Sequence, residues 1–220
     1  MQVMKFRLAF FDNDGTLVDC PSSWHHVHSV MGTLEEANKL TKEYFEGKRT
    51  YEEFMIESIK LWESKLGRRV HLNDIQSILE VCKLREHAVE VVSKLKSAGM
   101  KIIIISAGMW LLSERVGRIV GADLILANRV KVDEEGYLTY EISKMVDPYK
   151  KADLVRELAE KFGVPLSHTI AVGDTLHDLN MLEVAGLGFL VSKKELDLKN
   201  RPNIKQVRSL KDILSYVFNK

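Results

Sequence analysis

The segment FRLAFFDNDGTLVD (Phe6–Asp19) decides the fold. Its first six residues are a short apolar run rich in aromatics that ends in a polar turn with a glycine, the pattern of a buried strand. Asp12 and Asp14 stand one residue apart directly after that run. Aspartate favours strand-end turns because it bonds nearby backbone. The pair is therefore either a local cap or the start of an active site, and the rest of the chain must separate these readings.

Outward from this strand the same form recurs. KIIIIS (101–106), ADLILAN (122–128), HTIAVGD (168–174) and GLGFLV (186–191) are brief apolar runs bounded by Gly, Asp, Asn or Ser. Each reads as covered on both faces, as parallel strands are. REHAVEVVSKLKSAG (85–99) and KKADLVRELAEKFG (150–163) have helical spacing, and each ends at a glycine suited to a helix C-terminus. Strand alternating with helix predicts an α/β fold with a parallel sheet. Two alternating runs around DEEG in residues 128–143 predict a peripheral β-hairpin.

Residues 19–84 break the alternation. They hold four helix-like segments, SSWHHVHSVMG, TLEEANKLTKEYFEGK, TYEEFMIESIKLWESKLG and HLNDIQSILEVCK, and no strand. Thr50 followed by Glu53 predicts a capping box at the start of the third. The expected organisation is a core of residues 1–18 and 85–220 carrying a helical cap domain, 19–84, inserted after the first strand.

A chain of 220 residues can bury a core without staples, and 45% apolar with 29% charged residues places it among ordinary globular proteins. With 32 basic against 31 acidic side chains, no global charge draws it to nucleic acid or to an anionic membrane. Its apolar runs are too short to span a bilayer. Cys20 and Cys82 lack metal-ligand spacing, and the first residues lack the features of a secretion signal, so a reducing cytoplasm is the expectation.

In an open α/β sheet, ligands bind outside the carboxyl ends of the strands. The polar residues there are Asp12 and Asp14, Ser106, then Gly173, Asp174 and Asp178, with Lys150 and Lys151 opening the preceding helix. Two carboxylates about 4 Å apart repel by roughly 4 kcal/mol at an effective dielectric near 20. A cation must offset this, and Mg²⁺, held by one or two carboxylates with water and substrate phosphate, fits the oxygen-rich set.

DNDGT, Ser106 after its apolar strand, Lys151 and GDTLHD resemble, in order, the four motifs of the haloacid dehalogenase superfamily, which is mostly phosphatases. The resemblance implies a Rossmann-like core with a C1-type helical cap, and a Mg²⁺-dependent enzyme hydrolysing a small-molecule phosphate monoester. It implies that Asp12 is the nucleophile, forming an aspartyl-phosphate, and that Asp14 is the general acid and base. The metal would be held by the Asp12 side chain, the Asp14 carbonyl and Asp174, with Asp178 in support. Ser106, Ala107, Gly108 and Lys151 would bind the phosphoryl group. An acid at position 14 favours phosphoryl transfer over dehalogenation. Lys151 rather than Lys150 gives the spacing to Asp174 found in the phosphoserine phosphatase branch.

That branch is similar over nearly the whole chain, including TKEYFEGK and ANRV, but this sequence departs from it where substrate is read. Pro21 falls at the branch's amino-binding glutamate, Ser58 at its carboxylate-binding arginine, and His177 at its usual asparagine. The chemistry carries over and the substrate does not. A phosphotransferase or mutase using the same intermediate, and a non-catalytic phosphometabolite-binding protein, are the alternatives.

Other features have plainer readings. Ser106 could cap a helix begun in AGMWLL, and a helix N-terminus is itself an anion site. His25 and His28 could share a helical face, though no third metal ligand lies near, and Trp24 or His25 could face substrate. Met109–Leu112 reads as core packing, and the charged run 193–201 as a solvated surface.

Overall fold

The computed structural model describes residues 5–144 and 146–218. Strand β1 (Leu8–Phe11) is buried along its whole length because both its edges are paired. β2 (Lys101–Met109) runs parallel to it on one side and β5 (Thr169–Gly173) on the other. β3 (Leu124–Val132) extends the sheet beyond β2, β6 (Leu187–Val191) and β7 (Ile204–Val207) extend it beyond β5, and all these pairs are parallel. The order is β4-β3-β2-β1-β5-β6-β7, with β4 (Leu138–Lys144) antiparallel to β3 at the edge.

Alternation along β1 divides the core in two. Ala9 and Phe11 join one apolar cluster with residues of α5 (Ala88–Ser97), α6 (Trp110–Val120) and α9 (Asp212–Phe218). Leu8 and Phe10 join the other, packed against α7 (Lys151–Lys161) and α8 (Leu179–Val184). Helices on both faces leave only the strand ends open to a ligand, so the carboxyl end of β1 is where the two aspartates emerge. None of the described helices is long and apolar enough to cross a membrane.

Between β1 and α5 lie α1 (Ser23–Met31), α2 (Leu34–Phe45), α3 (Tyr51–Leu66) and α4 (Leu72–Leu79), matching the four helical segments expected after the first strand. Ser22 caps α1 by accepting from the His25 amide, and Thr50 and Glu53 form the reciprocal capping box of α3. At their centre Trp62 is fully buried, and its indole N–H donates to His28 Nδ1 at 3.0 Å. Because indole only donates, Nδ1 is the unprotonated nitrogen and neutral His28 carries its proton on Nε2, which is buried without a partner. Burial, and to a lesser extent His25, holds the His28 pKa down at about 4. The chain enters and leaves these helices through two adjacent segments, bridged at Val18 and Leu84, with the Asp19 amide bonded to the Lys83 carbonyl.

Several boundaries differ from the sequence reading. The run expected to end at Asn128 continues to Val132, so the first arm of the hairpin is the end of β3 itself. β2 runs three residues past Ser106, and α6 starts at Trp110 with Met109 as its cap, so Ser106 does not cap it. The helix expected from residue 85 begins at Ala88, after His87 takes a left-handed φ of 65°. β7 has no counterpart among the strands read from sequence, because IKQV is short and only its two ends are buried. Trp110 and Leu112 are core residues, as expected.

Candidate active site

The turn after β1 is wound tightly. The Asn13 carbonyl accepts the amides of Thr16, Leu17 and Val18, which returns the chain over the strand end and holds Asp12 and Asp14 there. Gly15 has a φ of +76°, and a Cβ on it would meet Asp174 Oδ2 at 2.2 Å, so both backbone shape and space require glycine. The same crowding recurs on the neighbouring strands. A Cβ on Gly108 would lie 2.4 Å from Asp14 Oδ2, and one on Gly173 would lie 2.5 Å from Asp178 Cβ. Three glycines thus let three strand ends close around the carboxylates.

Lys151, the first residue of α7, is the buried cation of the site. Its Nζ donates to Asp12 Oδ1 at 2.6 Å and to Asp178 Oδ1 at 2.7 Å, while Lys150 is exposed. Asp178 also accepts, through Oδ2, from the amides of Asp174 and Thr175 and from the Thr175 hydroxyl. Both of its oxygens are engaged, so it orients Lys151 and the turn after β5 together. Thr16 donates to Asp174 Oδ1 at 3.0 Å and lies 3.4 Å from Asp12 Oδ2, tying the first strand to the fifth.

Asp14 is held differently. The Ser23 amide, at the start of α1, donates to its Oδ2 at 2.6 Å, and Asn13 Nδ2 donates to Oδ1 at 3.0 Å. The Ser23 hydroxyl in turn accepts from the Met109 amide. This carboxylate therefore meets both the sheet and the inserted helices.

The charges do not balance. Burial first, then the neighbouring carboxylates, push Asp12 well above the usual carboxylate range, with Lys151 opposing. Burial likewise raises Asp14 against its bonds from Ser23 and Asn13. Asp174 is pushed up to about 6 by burial and by the charge of Asp178. Burial pulls the Lys151 pKa down, but Asp12 and Asp178 more than offset this and it lies above the ordinary lysine value. Asp178 is lowered, burial being outweighed by Lys151 and the bonds at Thr175. One lysine among four carboxylates leaves room for positive charge. Asp12, Asp174 and Asp178 each bring a carboxylate oxygen within 4.8 Å of the other two, an all-oxygen set suited to a hard divalent cation.

These groups floor a cavity of about 300 Å³. Asp12, Asp14, Ala107, Gly108, Lys151, Asp174 and Asp178 line it, whereas Ser106 lies beneath, fully buried, its Oγ accepting the Gly108 amide at 3.0 Å. Trp24, His25, His177 and Pro21 also line it, but Ser58 does not: its hydroxyl is buried and donates to the Phe54 carbonyl within α3. His28 is spent on Trp62 and shares no metal-ligating group with His25 among the described residues. Ser23, Asn13 and Thr16 were missed from sequence as site residues. So was Arg85, whose guanidinium donates to the Gly15 carbonyl. Only Asn13 and Thr16, both inside DNDGT, carried a signal.

A model of haloacid dehalogenase-like hydrolases matches residues 6–186. The chain is similar to a phosphoserine phosphatase of Archaeoglobus fulgidus, 33% identical over 86% of this chain and 54% of that protein, so it spans about half that relative's length. It is 28% identical to a phosphoserine phosphatase of Methanocaldococcus jannaschii over 97% of this chain and 98% of the relative. A solved phospho-aspartyl intermediate analogue of phosphoserine phosphatase superposes with a TM-score of 0.75 at 27% identity, covering 96% of this chain and 99% of that one. A substrate-bound phosphoserine phosphatase gives 0.76 at 26%, over 96% and 98%. The matched span runs from before β1 to the residue before β6 and takes in every strand end that bears a carboxylate of the site, so the chain belongs to the haloacid dehalogenase-like hydrolases.

Proposed function

We propose that this hydrolase is a phosphatase that cleaves a small phosphate monoester through an aspartyl-phosphate on Asp12. The observation that carries the reading is the Lys151 ammonium clamped between Asp12 and Asp178 at the floor of the cavity. A binding protein has no use for a buried carboxylate pinned beside a lysine with a second acid close by, whereas covalent phosphoryl transfer uses all three.

An Asp12 carboxylate oxygen attacks phosphorus as the ester P–O bond breaks, and Asp14 gives its proton to the departing alkoxide. Asp14 then takes a proton from water as that water attacks the phosphorus of the aspartyl-phosphate, which releases inorganic phosphate and restores the Asp12 carboxylate. Burial suits Asp14 to the first step by favouring its protonated form. Lys151 and the backbone at Ala107 and Gly108 bind the phosphoryl oxygens, with Ser106 holding the Gly108 segment in place from beneath. Asp12, Asp174 and the Asp14 carbonyl, with Asp178 in support, would hold Mg²⁺, which would supply positive charge offsetting these acids against a phosphate dianion. Residues 19–84 act as a cap on the core of residues 1–18 and 85–220, closing to exclude water and reopening for release.

The named relatives are phosphoserine phosphatases, and that activity is one candidate for this chain. Phosphate release from a panel of monoesters, with Mg²⁺ and with chelator, tests the reading. Magnesium-dependent turnover is expected, and no release from any ester would overturn it.

A further inference from the structure

The cavity has two unlike halves. Opposite the carboxylates, the inserted helices contribute Trp24, Tyr44, Phe45, Tyr51 and Phe54. The rings form a connected wall. Tyr51 stacks on Phe54 with centroids 5.4 Å apart, Trp24 meets Phe54 edge-on at 5.7 Å, and Tyr44 meets Tyr51 edge-on at 5.1 Å.

The polar atoms of this wall are already used. The Tyr51 hydroxyl donates to the Ala107 carbonyl at 2.7 Å and the Trp24 indole N–H donates to the same oxygen at 3.2 Å. The Tyr44 hydroxyl donates to Asp147 Oδ1 at 2.9 Å. What these residues offer a ligand is ring surface. Pro21 adds no donor and no charge, and the two histidines of the lining, His25 and His177, are exposed residues, the ring of His177 lying flat on Phe45 at 5.0 Å.

Charge narrows the ligand further. Lys151 is the only lysine or arginine among the described residues that line the cavity, and two of its three protons are committed to Asp12 and Asp178. That leaves one proton, which the phosphate of the substrate would take. A substrate carboxylate would therefore enter a site with no free fixed cation, and burying an unpaired carboxylate is strongly unfavourable.

We propose that the alcohol released from the phosphate is uncharged and apolar, so that the substrates are alkyl or arylalkyl phosphate monoesters whose hydrocarbon part lies against the wall of Trp24, Tyr51 and Phe54. This rests on the phosphatase reading above. The cavity volume accommodates a phosphate with a tail of ring size and excludes a macromolecular substrate from full enclosure.

Specificity constants of the full chain with Mg²⁺ for ethyl phosphate, 2-phenylethyl phosphate, phosphoserine and phosphocholine test it. All four release unactivated primary alcohols, so the comparison reads mainly recognition. Burial of the phenyl group should raise kcat/KM for 2-phenylethyl phosphate about 10- to 100-fold over ethyl phosphate, with phosphoserine below both. Phe54→Leu and Phe54→Ala should narrow the phenylethyl-to-ethyl ratio in that order. A preference for phosphoserine or phosphocholine over 2-phenylethyl phosphate would overturn this inference and leave the phosphatase intact. A failure to release phosphate from all four and from every ester of a wider panel would overturn the phosphatase reading and this one with it.

Discussion

The sheet edge and the helices that cover it solve opposite problems. At the sheet edge, Asp12, Asp178 and Lys151 are buried and Asp14 and Asp174 half-buried, and every one of those side chains is paired by hydrogen bonds or an ion pair. Across the cavity the polar groups of the aromatic wall are bonded to the Ala107 carbonyl and to Asp147. On the proposed reading the difference is a division of labour: backbone geometry at the strand ends sets the reaction, and side chains on the inserted helices set what the phosphate may be attached to. The two regions meet at Asp14, which the Ser23 amide of α1 holds from the helical side.

Four experiments can break or sharpen this contrast. Asp12→Asn removes the proposed nucleophile while preserving its shape, so turnover should fall by about 10⁴-fold or more, with the circular dichroism spectrum unchanged. Residual magnesium-dependent activity near the wild-type rate would show that the sheet edge does not work as proposed.

Lys151→Met should act on the same edge through stability as well as rate. It leaves Asp12 and Asp178 buried without their cation, for a cost of about 3–5 kcal/mol in denaturant unfolding near neutral pH. An unfolding midpoint equal to that of the wild type would mean that the lysine does not neutralise the pair.

On the helical side, His28 makes stability depend on pH. Its folded pKa of about 4 lies below the ordinary 6.5, so the unfolded state binds the extra proton first. Its contribution is therefore complete above about pH 6.5 and is lost as pH falls toward 4, for a total of about 3 kcal/mol. The difference in unfolding free energy between wild type and His28→Asn, followed from pH 7 to 4, should shrink over that window. A constant difference would remove His28 from the account.

The smallest effect belongs to the exposed end of α3. Thr50→Ala deletes one half of the capping box and should cost about 1 kcal/mol in thermal or denaturant unfolding, with kcat unchanged. A loss of several kcal/mol would show that the cap helices depend on this end far more than its exposure implies.

Much of this was legible in the chain. Apolar runs bounded by Gly and Asp identified five strands of the parallel sheet, because a strand covered on both faces cannot hide its composition. DNDGT, Ser106, Lys151 and GDTLHD named the residues that meet at its edge, because parallel strands deliver their carboxyl ends to one side whatever lies between them. Thr50 and Glu53 announced their own contact, since a capping box is made within four residues.

Other features needed the folded chain. β7 and the merger of the hairpin with β3 depend on pairing partners distant in sequence, and a four-residue strand with two buried positions carries too little pattern to be read alone. Ser23, Arg85 and the rings of Tyr44, Tyr51 and Phe54 sit in helices or linkers where any apolar or polar residue would look ordinary. Their roles arise when α1, α2 and α3 turn those residues toward the sheet edge. Short-range chemistry was thus written in the sequence, while the match between a charged floor and an aromatic wall was decided only by tertiary contact, since neither half contains the signal for the other.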